Sequence, residues 1–174
     1  MEILLISEKK IKTELALDEN IYGKYLLPSI KQAQAISLQT ILGTTLLNKI
    51  YQLIETQEIN KAVDYKILLD EYIQDFLIYE TMTYLIPIVA VKIDNIGVVI
   101  NQDEKVTNIS KNEIDYLIEQ YKYKADFFKK NLQVFLCKNH GKYPELSNNE
   151  EGVIKPNLQD TESCSIFLGG IYKK

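Results

Sequence analysis

One stripe of apolar residues constrains this chain more than any other feature. Ile114, Ile118, Tyr121, Ala125, Phe128, Leu132 and Phe135 recur at alternating intervals of four and three, which puts them on one side of an α-helix. At 1.5 Å per residue the helix that carries them is about 40 Å long. Ser110 and Glu113, just before it, have the spacing of a capping box, in which each side chain satisfies the other's backbone N–H. Glu119, Lys122, Lys129 and Lys130 keep the opposite face wet.

Four shorter or earlier helices are predicted to accompany it. Ser7 caps a brief one after an extended apolar piece over residues 2–6. A second starts at Leu27 or Pro28 and runs through Ile30, Ala33, Ser37 and Ile41. It stops at Gly43, a residue suited to the turn past a helix end. Thr44 then caps a third, with Leu46, Leu47, Ile50 and Leu53 or Ile54 on one side. A join this short predicts an antiparallel pair or a sharp corner. Asp64 reads as the N-cap of a long helix to about Ala90, where Leu69, Tyr72, Phe76, Tyr79, Thr83 and Ile86 fall three or four apart. From Phe76 onward it is apolar almost all round, so it is expected to be the central, buried helix. Pro87 should bend or end it.

Between the two long helices, residues 97–100 and 105–109 are β-rich runs around a polar turn at 101–104, which predicts a hairpin over about 97–109. From Asn139 the period collapses into Gly, Pro, Asn and Glu, and a short apolar run returns only over residues 165–171. With seven Gly and four Pro the composition suits long helices. The fold class expected is therefore mainly α. It comprises a helical bundle of about four to five helices over residues 1–138, a small β-hairpin insertion and an irregular C-terminal arm over residues 139–174.

The net charge of −4 argues against a general nucleic-acid binder, and all twenty basic residues are Lys. Without Arg the chain lacks the side chain best suited to forked recognition of phosphate or guanine. The apolar start, residues 1–6, has no basic lead-in, and the most apolar stretch, residues 76–91, is interrupted by Glu80 and falls short of the ~20 residues of a membrane span. A cytoplasmic origin is expected. Cys137 and Cys164 lie far apart and read as buried or neutral thiols rather than as a disulfide.

Candidate chemistry is sparse. His140, the single histidine, reads as a cation at the end of the last helix, with Lys138 and Lys142 beside it. Glu55 and Glu58 form a Glu-x-x-Glu of the kind that all-α nucleotide pyrophosphatases use for magnesium. The second half of that site is missing, since Glu71 and Asp75 are four apart, and solvated carboxylates at a helix end fit better. Asp70, Glu71, Asp75 and Glu80 read as a polar stripe rather than as paired acids. The twelve tyrosines fall largely at core spacing, which weakens a base-stacking role. No catalytic, cofactor-binding or metal-binding residue is assigned. What remains is interaction surface: Val98, Val99 and Ile100 in the hairpin, Ile166, Phe167 and Leu168 in the C-terminal run, and whichever face of the long helix the monomer leaves uncovered.

Residues 27–47 add a resemblance. A helix carrying Ile30, Ala33 and Gln34 runs into Ile41, Leu42 and Gly43, and a second begins with the pair Leu46 and Leu47. This resembles the opening helices of phage head–tail connector (neck adaptor or ring) proteins, most nearly those of crAss-like tailed phages. The order of elements over residues 3–137 is also similar, while the tail matches nothing in that family. The resemblance implies a helical subunit of a closed homo-oligomeric ring, typically about twelve-fold. Such a ring binds the portal protein, meets the next neck or tail protein and passes double-stranded DNA without reading its sequence. It implies no cofactor, no catalytic residue and no membrane, and a place in the virion neck after assembly in the host cytoplasm. Two other readings stay open. A small helical regulator would bind a phage or host enzyme at low copy number, and a magnesium-dependent hydrolase would need Glu55 and Glu58.

Overall fold

The computed structural model of the protein describes residues 3–17, 23–94, 97–100, 110–147 and 152–158, with backbone alone over 91–94 and 97–100. It is mainly helical: α1 (Glu8–Glu14), α2 (Gly23–Gln32), a π-helical segment (Ala33–Leu38), α3 (Gln39–Glu55), α4 (Val63–Ile67), a second π-helical segment (Leu68–Ile73), α5 (Gln74–Ala90), β1 (Val91–Asp94), β2 (Gly97–Ile100) and α6 (Lys111–Lys138). Two 3-10 turns, His140–Lys142 and Pro144–Ser147, follow α6.

As its apolar sequence predicts, α5 is the centre. Phe76, Leu77, Ile78, Met82 and Leu85 are buried, and the helix packs against both α6 and α2. The seam that α5 and the second π-helical segment before it make with α6 is an aromatic ladder. Tyr72 stacks on Phe135 with ring centres 4.0 Å apart, and Tyr79 stacks on Phe128 at 5.0 Å. The rungs are seven residues apart on each helix and run in opposite order, so the helices are antiparallel with coiled-coil spacing. Continuing that register sets Ala90, the last residue of α5, opposite Leu117, and the first turn of α6 has no α5 beside it. The α6 stripe is therefore buried unevenly. Ala125 and Leu132 are buried, while Ile114, Ile118, Tyr121, Phe128 and Phe135 are half-buried.

Two glutamines tie down the N-terminal piece. Gln34, itself buried, accepts from Leu5 N–H through Oε1 (2.8 Å) and donates through Nε2 to Ile3 O (3.1 Å). Gln74 donates to Leu5 O (2.9 Å) and accepts from Lys10 Nζ (2.6 Å). Side-chain amides thus do for the extended chain what a neighbouring strand would do. The chain then enters α1 with Ser7 as N-cap, its hydroxyl accepting from Lys10 N–H at 3.2 Å.

Several expectations are corrected. The helix predicted to start at Leu27 or Pro28 starts at Gly23 and includes Pro28. Of the two geometries expected at Gly43 the structure has the corner and not the antiparallel pair: the backbone kinks there (φ 76°, ψ 162°) and the helical ladder resumes on its far side. The long helix starts one residue before Asp64, and no side chain caps it. Asp64 pairs instead with Lys142, at 2.7 Å. The hairpin expected over about 97–109 is not supported. The partner of residues 97–100 is the preceding strand, with Val91 opposite Ile100, and residues 101–109 lie outside the described residues. Cys137 is disulfide-bonded and not a free thiol. Cys164 lies outside the described residues.

Residues just past 138 pack onto the helices. Tyr143 is fully buried, its hydroxyl donating to Asp64 O at 2.9 Å, and Leu146 is buried beside it. Tyr65 meets Tyr143 edge-on and donates to the Glu145 carboxylate at 2.9 Å. Burial and these nearby carboxylates push both phenols well above the ordinary tyrosine range, so both stay neutral donors.

Candidate interaction surface

Half a turn away from its core stripe, α6 carries a second one. Tyr116, Gln120, Tyr123 and Phe127 repeat the four-three spacing, and their positions on the helical wheel lie opposite Ala125 and Leu132. Three of the four are large aromatics that face solvent: Tyr116 is 62% exposed, Tyr123 76% and Phe127 58%. Leu117, at the edge of the inner stripe, is 45% exposed. Val89 on α5, near Leu117 in the ladder register, is exposed as well.

The stripe is held in place from behind. Phe127 meets Phe128 edge-on, with centres 5.3 Å apart, and Phe128 is itself stacked on Tyr79. Lys124 Nζ lies 5.4 Å from the Tyr121 ring centre and 5.7 Å from that of Tyr79, so its charge sits over ring faces at the edge of the seam. The N-terminal end is fixed by the capping box. Ser110 N–H donates to Glu113 Oε2 (2.7 Å), Ser110 Oγ donates to the same oxygen (2.8 Å), and Glu113 N–H donates to Ser110 Oγ (3.4 Å). Those two donors hold the Glu113 carboxyl below the usual carboxylate range.

A second surface lies at Gly43, where residues 152–158 return and lie across the kink. Thr44 N–H donates to Ile154 O (2.9 Å), Ile154 N–H to Thr44 Oγ1 (3.1 Å) and Asn157 N–H to Thr40 O (3.0 Å). Gln133 of α6 donates to Asn157 O at 2.8 Å. The Thr44 hydroxyl expected to cap the next helix is thus engaged by the strap, and by Gln39 Nε2 at 3.1 Å. A Cβ at position 43 would sit 2.8 Å from Pro156 Cδ and 3.0 Å from Ile154 O, and the backbone there is left-handed. Glycine is required on both counts.

The residues singled out from sequence fall elsewhere. Val98, Val99 and Ile100 form β2, whose side chains are not described, and Ile166, Phe167 and Leu168 lie outside the described residues. His140 opens a 3-10 turn and contacts Ser147 Oγ at 3.3 Å. The helix end it was expected to cap is closed by Asn139, whose Nδ2 donates to Phe135 O at 3.0 Å. Glu55 ends α3 and Glu58 follows Gln57, which has φ 58°, so the two carboxylates do not share a helix face. The four acids on the long helix are dispersed. Asp70 pairs with Lys66 at 3.0 Å, Glu80 accepts from Ser37, and burial raises the Asp75 carboxyl against the pull of Lys10. Among the described residues no group of three or more His, Cys, Asp or Glu is placed to hold a metal, and no helix is long and apolar enough to cross a membrane. The outer α6 stripe has a sequence signal, the same four-three spacing, but spacing does not say which of two stripes the bundle covers.

A family of unknown function (DUF6712) is the family whose model matches, over residues 38–155. That span includes Gly43 and the outer stripe of α6 and ends at Lys155, before Pro156 and Asn157 of the strap. No curated protein and no solved structure matches the chain.

Proposed function

The chain belongs to DUF6712, a family of unknown function, and we propose that it is a structural subunit of a homo-oligomeric ring, the head–tail connector of a tailed phage. The observation that carries the reading is the outer stripe of α6. A monomer of 174 residues seldom leaves three aromatics in a row on one helix face, and such faces mark surfaces that another chain covers. Closing a ring takes two different patches on each subunit, one meeting the other on the next copy. The α6 stripe and the surface around Gly43 are two such patches on separate elements. In this reading the neighbours are further copies of the chain, the portal protein above and the next neck or tail protein below, and the place is the virion neck. The acidic, Arg-free composition suits a channel that passes double-stranded DNA without gripping its phosphates.

Light scattering after size exclusion tests the first part. Copies should associate, alone or once portal protein is supplied, into particles of many subunits. A chain that stays at 20.1 kDa and ignores portal protein overturns the reading. The same exposed face also suits a regulator that lays α6 against one enzyme. Copy number separates the two, since a regulator binds one or two to a partner and is missing from purified particles.

A further inference from the structure

The outer face of α6 has two unlike edges. Along one side of the stripe of Tyr116, Gln120, Tyr123 and Phe127 stand Glu119 and Asp126, seven residues apart and both exposed. Along the other stand Leu117 and Lys124, with the same spacing and also exposed. The Lys124 ammonium lies over the rings of Tyr121 and Tyr79, which keeps it on that edge and away from the two acids. Neither Glu119 nor Asp126 forms an ion pair with another described residue. The stripe gives way to Lys130, so the uncovered apolar face spans residues 116–127, about 17 Å of helix.

Between them the three aromatics leave uncovered the area of about two whole side chains, roughly 300–500 Å². A stable interface covers about 800 Å² on each partner, and the two flanking edges supply much of the difference. Charge then decides what can lie there. Two parallel helices in register bring an edge residue of one beside the residue five further on along the opposite edge of the other. On a second copy of α6 that residue is Lys124 for Glu119, and the polar Asn131 for Asp126. An antiparallel copy would lay its own Glu119 and Asp126 along the same two acids, which like charges oppose. The face thus complements a copy of itself, in one orientation.

We propose that the outer face of α6 is the contact between copies of this chain, with the helices parallel and Glu119 of one copy paired with Lys124 of the next. This rests on the reading of the chain as an assembling subunit and assigns both the contact and its orientation. Because the edges differ, each copy offers an acidic edge to one neighbour and a basic edge to the other, which meets the two-patch condition of a closed ring. Tyr116, Tyr123 and Phe127 then lie between neighbouring helices, and the surface at Gly43 is left outside this contact.

Two charge reversals of the full chain test it, alone and mixed, with self-association followed by light scattering. Glu119→Lys makes both edges basic and Lys124→Glu makes both acidic, so each variant alone should need at least a fivefold higher concentration than the unmodified chain. An equal mixture should associate near the unmodified concentration, because reversed edge meets reversed edge and native edge meets native edge. A mixture no better than its components overturns the parallel pairing and leaves the ring reading standing. So do single variants that associate like the unmodified chain, the result expected if residues 165–171 of the same chain or a helix of another protein cover the stripe. An unmodified chain that never associates, with or without portal protein, overturns both. Should Lys124→Glu fail to fold for want of its ring contacts, Asp126→Lys mixed with Asn131→Glu repeats the test one heptad on, at two exposed positions. Each of these should associate more weakly alone than together, and a mixture without gain would refute the pairing.

Discussion

The two halves of α6 are one helix with one spacing rule and opposite surroundings. From Ala125 to Cys137 the inner stripe packs on α5 and the second π-helical segment, with Ala125, Leu132 and Leu136 buried and Phe128 and Phe135 half-buried. From Lys111 to Lys124 no residue is fully buried, although Ile114, Ile118 and Tyr121 continue the same stripe. The cause is the length of the partner. α5 stops at Ala90, opposite Leu117, and α6 runs on past it. One half is held by the fold, and the other is stiffened by the capping box, the ring stack and helical continuity. A rigid projecting helix with aromatics on its outer side is pre-organised to meet another chain, which lowers the entropic cost of binding.

The sharpest way to break this comparison is to cut the same stripe in both halves. Leu132→Ala should cost about 2–5 kcal/mol in urea unfolding, the range for a buried leucine. Ile118→Ala should cost under ~1 kcal/mol, because its site is half open already. Equal losses would mean that the two halves are not different. Gly43→Ala comes next in size. A Cβ there meets Pro156 at 2.8 Å on a left-handed backbone, so we expect a loss of about 1–3 kcal/mol, with the strap released. An unchanged melting curve would show that the kink tolerates an ordinary residue.

The helices of this fold were largely legible from the chain, for physical reasons. The stripe from Ile114 to Phe135, the capping box and the apolar run after Phe76 are local patterns, and packing agrees with them. What sequence left dark was set by distant partners. Nothing local says that Gln34 will reach back to residues 3–5, that Asp64 will turn to Lys142 instead of capping its helix, or that residues 152–158 will lie over Gly43. Gly43 was visible as a helix-breaker, but its second reason, the close approach of Pro156, needs the third dimension. The outer α6 stripe was the nearest miss. The uncovered face of the long helix was named as interaction surface without its residues, and Tyr116, Tyr123 and Phe127 were not singled out, since periodicity reports a stripe and not its neighbour.

Substituting that outer stripe should separate stability from assembly. Tyr123→Ser and Phe127→Ser should each move monomer stability by no more than ~0.5 kcal/mol, as changes at exposed sites do. Together they should raise the concentration needed for self-association at least tenfold, about 1.4 kcal/mol. Association that survives the double change would move the interface elsewhere. A chain that unfolds would show that these rings belong to the core after all.

The smallest effects are electrostatic, and the two regions should titrate with opposite signs. Asp75 sits in the packed bundle, where burial lifts its carboxyl above the ordinary value. A group with a raised folded pKa binds its proton better in the folded state, so it favours folding at low pH and loses that contribution as pH rises through its titration. Asp75→Asn should therefore stabilise the protein slightly near neutrality and make no difference in acid. Glu113, at the projecting end of α6, is held below the ordinary value by the Ser110 donors. Its contribution is present above the unfolded carboxylate range, near pH ~4.3, and is lost as pH falls through the folded value. Because Glu113 serves the first turn alone, the loss should appear as faster hydrogen exchange there and not as global unfolding. Ser110→Ala should mimic it at neutral pH, at about 1 kcal/mol for a lost N-cap. Exchange over the first turn of α6 that ignores both acid and Ser110→Ala would mean that something other than the capping box holds the projecting half in shape.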